Sequence, residues 1–468
     1  MIFLFIRRRN TVHVFIAVIA CLLFFGCAVL PSVQTVKPAP AEPQKPLTPR
    51  KSFKPEEYSP SSGCAQCHDN IFEQHSQSMH AKSFENPVFQ AQYFKELLPK
   101  SITDADLFEE TRACIACHAP IAYLTTARHI LSKEQIDKRT SGVTCDFCHT
   151  IGGYEGKSPG DANYISMPGD EKLGPFKKAS TWHHVYSELQ TKSEFCAICH
   201  NRTNHHGLEI GSTFTEWKNS RFAEEGIQCQ DCHMNVQGFL VAGKPVYEAG
   251  KAADMRLGDP PFRTKLYTHR FPGAHSKTQV VGALTMNIEV EEAAALPGDD
   301  ITIHVRVNNS KTGHKMSSGS AELRMLYIDL NAYSGDKVVS IPTSPGTTNA
   351  YDVTGKGEFD KEILGDAIPE GKRIYRTIFI DEKGKQTLFS YDAVKIIFDN
   401  RLKAGEIREE IYRFKVPEEA EGAMSLVTNL YYLRYPSAFA KRLSLPEADI
   451  VEIASATKTV IIKDIPDE

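Results

Sequence analysis

The chain has almost no cysteine free to form a structural disulfide. Of its twelve cysteines, ten occur in pairs separated by two residues, and the other two, Cys21 and Cys27, lie in the apolar N-terminal segment. Outside these pairs, the rest of the chain has no cysteine with which to form a structural disulfide. The formal net charge of −4 is small, and no basic stretch is interleaved with aromatic residues, so nucleic acid is not an expected partner.

The cysteine pairs belong to a motif, Cys-x-x-Cys-His, that occurs five times. A Cys-x-x-Cys pair alone fits zinc binding, thiol redox chemistry or a disulfide. Histidine makes up only 17 of the 468 residues, so a His after all five pairs would arise by chance with odds on the order of one in ten million. In chain order the copies, motifs I to V, are Cys64–His68, Cys114–His118, Cys145–His149, Cys196–His200 and Cys229–His233.

This pattern is the attachment signature of haem c, in which two thiols form thioethers with the porphyrin and the adjoining imidazole binds the iron. The sequence therefore predicts five covalently bound haem c groups. The predicted attachment residues are Cys64, Cys67, Cys114, Cys117, Cys145, Cys148, Cys196, Cys199, Cys229 and Cys232. The predicted iron ligands within the motifs are His68, His118, His149, His200 and His233.

Residues 1–27 are predicted to be an export signal of the lipoprotein type. Arg7, Arg8 and Arg9 precede an apolar run, and haem c is attached outside the cytoplasmic membrane, so such a signal is required. Cys27 is placed to carry lipid, with ordinary cleavage or an uncleaved anchor helix as alternatives. The proline-rich residues 28–60 predict an extended linker. We expect an exported protein in the periplasm or at the cell surface, lipid-anchored to the outer membrane.

All five motifs lie between Cys64 and His233, which divides the chain in two. The motif histidines are separated by 50, 31, 51 and 33 residues, an alternation that suggests a repeated two-haem unit. Gly142 and Gly226 stand at matching positions before motifs III and V. With porphyrins replacing much of the usual aliphatic core, residues 61–275 are predicted to form a mainly helical, loop-rich haem domain.

From residue 276 onward, apolar and polar residues alternate with period two, and Gly, Pro, Asn and Asp clusters separate the segments. This pattern predicts an immunoglobulin-like antiparallel β-sandwich in residues 276–468, which makes the chain a two-part α+β protein. A second helical domain is the alternative. The predicted strands are 283–290, 300–307, 323–332, 395–398, 410–416, 424–433 and 457–462.

Each haem iron needs a second ligand or keeps an open face, and the identity of that ligand sets its chemistry. Eleven histidines lie outside the motifs and the signal. The predicted second ligands are His80, His183, His184, His269, His275 and His314, with one of the neighbours His183 and His184 expected to ligate. His304 lies in a strand pattern and is predicted to be structural. The weaker candidates are His75, His129, His205, His206, Met79, Met234 and Met316.

Several stretches carry a family resemblance: 78–81, 193–196, 216–220, 226–234, 269–273 and 308–314. Through them the chain resembles the multihaem cytochromes c related to the tetrahaem electron-transfer cytochrome and the hydroxylamine oxidoreductase of ammonia oxidisers. It is more closely similar to exported multihaem cytochromes with a C-terminal β-sandwich, over about residues 61–465. In such proteins the His of a Ser-x-His-Ala stretch is a distal ligand, which implies that role for His80.

Five haems on one chain predict electron transfer. The leading hypothesis is a carrier that passes electrons from haem to haem between a membrane or periplasmic donor and an outer acceptor. Its partners would be other cytochromes, a quinol-linked donor or an outer-membrane conduit, and no catalytic residue is assigned. The alternative is a reductase or oxidase of nitrite, hydroxylamine or tetrathionate. A third hypothesis is a structural subunit of a conduit or an extracellular wire, with strand edges as docking surface.

Overall fold

The computed structural model describes residues 53–126, 129–177, 183–254, 259–344, 349, 351–355, 358–365 and 367–463. The predicted signal, Cys27 and most of the predicted linker lie outside these residues. The packed structure begins before residue 61, because Tyr58 is fully buried and its hydroxyl oxygen lies 2.8 Å from Ser166 Oγ. Within the described ranges, no helix combines the length and apolar character needed to cross a bilayer.

Short helices make up most of the first part of the chain, and the first cysteine of each motif lies in one of them. They are α1 (Ser61–Cys64), α2 (Asp69–Ser76), α3 (Pro87–Ala91), α4 (Leu98–Ser101), α5 (Ala105–His118), α6 (Pro120–Thr125), α7 (Cys145–Cys148), α8 (Ser193–His200), α9 (Thr213–Lys218), α10 (Arg221–Glu224) and α11 (Cys229–His233). A π-helical segment, Gln92–Leu97, joins α3 to α4. In a helix, residues i, i+3 and i+4 share one face, so both thiols and the imidazole of a motif point the same way.

The glycines before motifs III and V adopt left-handed backbone conformations, with φ of +71° at Gly142 and +75° at Gly226. At Gly142 a Cβ atom would lie 2.2 Å from the carbonyl oxygen of Ala81. The next residue, Val143, donates its backbone N–H to the carbonyl of His80 at 2.9 Å. Glycine therefore permits the close approach that packs motif III against the segment carrying His80.

Four small two-stranded sheets lie between the helices. Their strands are short, so most of the connecting segments in this part of the chain are loops. Three pairs are antiparallel, and the pair of β3 and β4 is parallel. The strands are β1 (Ile151–Tyr154) with β2 (Tyr164–Ser166), β3 (Lys172–Gly174) with β4 (His184–Tyr186), β5 (Arg202–Thr203) with β6 (Glu209–Gly211), and β7 (Glu248–Lys251) with β8 (Phe262–Leu266).

The second part is rich in β-structure, and all seven predicted segments contain strands. Its elements are α12 (Lys277–Val280), β9 (Thr285–Val290), β10 (Ala294–Ala295), β11 (Asp300–Asn308), β12 (Met325–Ser334), β13 (Lys337–Ile341), α13 (Glu358–Leu364), β14 (Arg373–Tyr375), β15 (Thr377–Ile380), β16 (Gln386–Thr387), β17 (Lys395–Asp399), β18 (Ile407–Lys415), β19 (Gly422–Leu433), α14 (Ser437–Leu443) and β20 (Ile450–Ile462). The α+β class is thereby confirmed.

Two of the sheets pack face to face over one hydrophobic core. The larger has the strand order β10-β20-β19-β12-β13 with β14 beside β12, and the smaller has the order β18-β11-β9. Strand β11 buries every second side chain, and Ile303 and Val305 join one cluster with Leu330 and Leu426 of the larger sheet. The predicted purely antiparallel arrangement is corrected at one edge, where β10 pairs with β20 in parallel. A third sheet has the order β16-β15-β17.

The helical and β-rich parts are packed tightly against each other. Ile115 of α5 shares a hydrophobic cluster with Leu323, Tyr391 and Phe439 from the second part. The described residues belong to one compact unit. The boundary at residue 275 therefore separates the motifs from the larger sheets in the sequence only. In the folded chain, residues from both sides of this boundary pack in one hydrophobic cluster.

Candidate haem sites

The five motifs open onto one continuous cavity of about 1810 Å³. All ten motif cysteines and all five motif histidines line it, together with residues of the β-rich part such as His314, Leu323 and Tyr432. The ten described cysteines form no disulfide among themselves. The thiols are thus available to a large, mainly apolar group on the cavity side of each motif.

Three motif histidines are held by a backbone carbonyl behind the ring. The Nδ1 atoms of His68, His118 and His149 lie 2.7, 3.0 and 2.6 Å from the carbonyl oxygens of Ala252, Ser83 and Leu173. A carbonyl only accepts hydrogen bonds, so Nδ1 carries the proton and Nε2 keeps its lone pair. This is the orientation in which a protein presents histidine to a metal.

Four motif histidines each face one of the predicted second ligands across the cavity. Two imidazoles that bind one metal ion with bonds of about 2 Å have ring centroids roughly 6 Å apart. The observed centroid distances are 6.0 Å for His68 and His183, 6.1 Å for His80 and His200, 6.3 Å for His149 and His269, and 6.3 Å for His233 and His314. The donor sets of motifs I, III, IV and V therefore fit an iron held between two imidazoles.

The partners come from distant parts of the chain. His80 follows motif I but faces motif IV, whereas His183 precedes motif IV and faces motif I. Such exchange interlocks the motifs, so the sites depend on the fold of the whole chain. Burial, and then the neighbouring His200, lower the pKa of His80 to about 3. Its imidazole is thus neutral near pH 7, which is the form that binds a metal.

His314 reaches the cavity from the loop after β11, and this loop is anchored on both sides. The side-chain amide of the buried Asn309 donates to the carbonyl oxygens of His314 and Leu402, at 3.0 Å each. The carboxylate of Glu216 in α9 accepts from the backbone N–H of Lys315 at 3.1 Å. The β-rich part thereby contributes a residue to the site of motif V.

His118 of motif II is different, because no second imidazole lies opposite its ring among the described residues. Phe89 stacks on the His118 ring, with centroids 3.9 Å apart and planes 11° from parallel. Arg202 is close to both motif II thiols and is paired with Glu110. Motif II thus offers one imidazole, with the partly buried guanidinium of Arg202 nearby.

Two predicted ligands are placed away from any motif histidine. The Nε2 atom of His184 lies 2.6 Å from the carbonyl oxygen of Phe176, in the short parallel sheet, so His183 and not His184 faces motif I. His275 lines the cavity beside Gly273, and burial followed by the charges of Arg434 and Lys82 lowers its pKa.

The weaker histidine candidates have other partners. His75 lies with Nε2 2.9 Å from the carbonyl oxygen of Val143, and His129 stacks on Phe108. His304 lies between Glu291 and Glu409 on the surface of β11, which agrees with a structural role. His205 is paired with Glu110, and the ring of His206 is adjacent to His205.

Neighbouring motifs touch through their thiols. The thiol of Cys64 lies close to that of Cys145, the thiol of Cys196 to that of Cys229, and the thiol of Cys117 to that of Cys199. Cys148 lies close to both Cys196 and Cys199. Motifs I, III, IV and V therefore follow one another in space, and motif II adjoins motif IV.

The contacts also refine the repeat expected from the motif spacing. Ser61 Oγ accepts from the backbone N–H of Cys145 at 3.5 Å, and Ser193 Oγ accepts from that of Cys229 at 3.0 Å. Each serine lies three residues before the first cysteine of its own motif. By this shared serine contact, motifs I and III correspond to motifs IV and V. The spacing of the motifs in the sequence suggested instead that motifs II and III correspond to motifs IV and V.

Comparison with known proteins agrees with this geometry. Residues 63–150, which contain motifs I to III, match the family described as "Cytochrome c554 and c-prime". The chain is similar to a penta-haem cytochrome c552 from Thermochromatium tepidum, with 20% sequence identity, coverage of 87% of this chain and 100% of that chain, and a TM-score of 0.60. That likeness shows a common fold.

Other similarities are weaker. The sporulation control protein Spo0M from Bacillus subtilis has 12% identity, coverage of 40% of this chain and 51% of that chain, and a TM-score of 0.17, which is too low to support an argument. No curated protein matches the chain. The motifs and the family match over residues 63–150 support a multihaem c-type cytochrome.

Proposed function

We propose that this multihaem c-type cytochrome carries five haem c groups and relays electrons among them. When bound, haem c supplies iron that cycles between the ferric and ferrous states. The observation that carries the proposal is the set of four histidine pairs at metal-bridging separation. The proposed ligands are His68 and His183 for motif I, His149 and His269 for motif III, His80 and His200 for motif IV, His233 and His314 for motif V, and His118 alone for motif II.

The residues of this chain hold the attachment points of the redox centres close together. Contacts between Cys64 and Cys145, and between Cys196 and Cys229, bring the attachment points of successive centres together. We propose that electrons pass along the order I, III, IV and V, with motif II as a branch at IV. Paired imidazoles favour this use, because a centre with both faces ligated changes charge without exchanging ligands.

Motif II supports a second candidate function, the reduction or oxidation of a small nitrogen or sulfur species such as nitrite, hydroxylamine or tetrathionate. Within the described residues His118 has no imidazole opposite, and Arg202, which is paired with Glu110, provides a partly buried guanidinium close by. A cation in a low-dielectric site favours an anionic ligand. We rank this below electron carriage because it draws on one motif of five.

The cellular setting follows from the predicted N-terminal segment and from the family match. We propose a protein exported to the periplasm or cell surface and held at the outer membrane by lipid on Cys27, with redox proteins as partners. We also propose that the two face-to-face sheets form an immunoglobulin-like sandwich, and that the chain is related to hydroxylamine oxidoreductase. The packing of Ile303 of β11 against the larger sheet supports a sandwich.

The haem content can be tested on the exported, purified protein. We expect its intact mass to exceed that of the polypeptide by five haem groups, and its Soret band to shift reversibly on reduction and reoxidation. A matched variant, Cys229→Ala with Cys232→Ala, should lose one haem and keep four. A mass equal to the bare polypeptide, or a reduced protein that dioxygen or ferricyanide does not reoxidise, would contradict the proposal.

A further inference from the structure

Glu322, in the segment between β11 and β12, is a buried carboxyl group that the relay does not account for. Its side chain lines the haem cavity, the residue is 4% exposed, and its Oε2 atom has no hydrogen-bond partner within the described structure. Other acidic side chains in the wall are paired: Asp146 lies 2.6 Å from Lys172 Nζ, and Glu110 contacts Arg202. Glu322 therefore differs from these acidic side chains because its Oε2 atom has no partner within the described structure.

The position of Glu322 is between motifs II and IV. The next residue, Leu323, packs in one cluster with Ile115 of motif II, and Cys114 packs against that cluster. Arg324, two residues after Glu322, lies near His200 of motif IV. Burial is the main cause that lowers the pKa of His200, and the charge of Arg324 is the second. Because Cys117 also contacts Cys199, motifs II and IV form one neighbouring pair beside Glu322.

Arg324 and Arg401 lie near Glu322, but neither forms an ion pair with it within the described structure. Arg324 donates to the carbonyl of Ser318, and Arg401 is already bound to Glu216 and Asp399. A buried carboxylate without a partner costs several kcal/mol, whereas the protonated acid is tolerated. Burial accordingly raises the pKa of Glu322 to about 7, while a hydrogen bond from its own backbone N–H and the charges of Arg324 and Arg401 oppose the rise. Arg324 also lies near Tyr432 and His200, and Lys315 shares Asp399 with Arg401.

We propose that Glu322 takes up one proton from solvent when the haem pair of motifs II and IV accepts one electron from a redox partner, and releases that proton on reoxidation. This inference rests on the proposed function. The added electron makes the cavity more negative, so it favours the neutral carboxylic acid over the carboxylate. Charge then balances: one electron enters with one proton, and both leave when the pair is oxidised.

Midpoint potentials measured by spectroelectrochemistry between about pH 6 and pH 9 test the proposal. In the wild type, one centre should lower its potential as pH rises, with a limiting slope of about 59 mV per tenfold change in proton concentration for one electron. In Glu322→Gln, which mimics the protonated acid, this potential should be independent of pH and equal to the wild-type value at low pH. An unchanged slope in Glu322→Gln would overturn the proposal.

Control variants and an infrared measurement distinguish a loss of proton uptake at Glu322 from a general effect of substitution on the fold. The exposed Glu419→Gln removes the same charge outside the cavity wall and should retain the wild-type slope, as should the conservative Glu322→Asp. Reduced-minus-oxidised infrared spectra should gain a carboxylic-acid carbonyl band that Glu322→Gln lacks. If the wild type carries five reducible haems but shows neither slope nor band, only the role of Glu322 fails, whereas a protein without haem would contradict the proposed function itself.

Discussion

His314 and His233 face each other with ring centroids 6.3 Å apart and planes 12° from parallel, although they come from different parts of the fold. His233 ends α11, and His314 lies in a loop of the β-rich part. Asn309 fixes this loop by bonding to the carbonyl oxygens of His314 and Leu402 at 3.0 Å each. The β-rich part therefore supplies one imidazole of the proposed haem site of motif V in addition to lining the cavity.

Replacing His314 should change the centre of motif V without removing it. In His314→Ala the thioethers of Cys229 and Cys232 still hold the haem, so we expect five haems by mass and one low-spin ferric signal converted to high-spin. Electron paramagnetic resonance of the oxidised variant measures this. His304→Ala, on the surface of β11, is the control and should leave every signal unchanged. A His314→Ala spectrum identical to that of the wild type would show that His314 is not a ligand.

Motif II should bind small ligands on its own. Because His118 has no imidazole opposite among the described residues, we expect one equivalent of cyanide to bind the ferric wild type, followed in an optical titration. His314→Ala should bind a second equivalent at motif V. Failure of the wild type to bind any cyanide would mean that another group occupies the second face at motif II.

Arg401 should contribute strongly to stability. Its guanidinium lies 2.9 Å from both Glu216 and Asp399, and its side chain is only 3% exposed. Removing one partner of a buried ion pair leaves an uncompensated charge and costs about 3–5 kcal/mol. We expect Arg401→Met to lower the free energy of unfolding in urea by that amount. Lys337→Met, at an exposed pair with Glu419, should cost less than about 1 kcal/mol, and equal effects of the two variants would refute the account.

The same network predicts a dependence of stability on pH. Burial alone would raise the pKa of Asp399, but its hydrogen bonds with Arg401 and Lys315 and their charges lower it to about 2. A folded-state pKa below the unfolded value stabilises the fold above about pH 4, and this contribution is lost as pH falls toward 2. We expect about 2 kcal/mol of the free energy of unfolding to disappear over that range. Asp399→Asn should lack this component, and a variant with the wild-type acid profile would contradict the assignment.

Local rules made much of this fold predictable from sequence. Covalent attachment requires both cysteines and the histidine of each motif together, and helical spacing places them on one face. Strands such as β11 were predictable because one face packs against another sheet, so apolar and polar residues alternate along the strand. The buried residues of β11 are Ile301, Ile303, Val305 and Val307. Helix α14 escaped prediction, because Phe439 is buried by contacts with the first part of the chain that no local pattern encodes.

The pairing of ligands was not predictable, because it depends on long-range packing. Nothing near His80 indicates that it faces motif IV instead of the adjacent motif I. His183 and His184 are neighbours with similar surroundings in sequence, and the parallel pairing of His184 with Lys172 in the sheet leaves His183 to face His68. His275 was predicted from its place after a turn, and that place brings it to the cavity wall without a facing motif histidine in the described structure.

Electron paramagnetic resonance of the fully oxidised wild type, with spin quantitation against the haem content, tests the central claim most directly. Four histidine pairs and one single histidine predict four low-spin ferric haems and one high-spin ferric haem per chain. A spectrum with five low-spin haems, or with two or more high-spin haems, would contradict the ligand assignment derived from the structure.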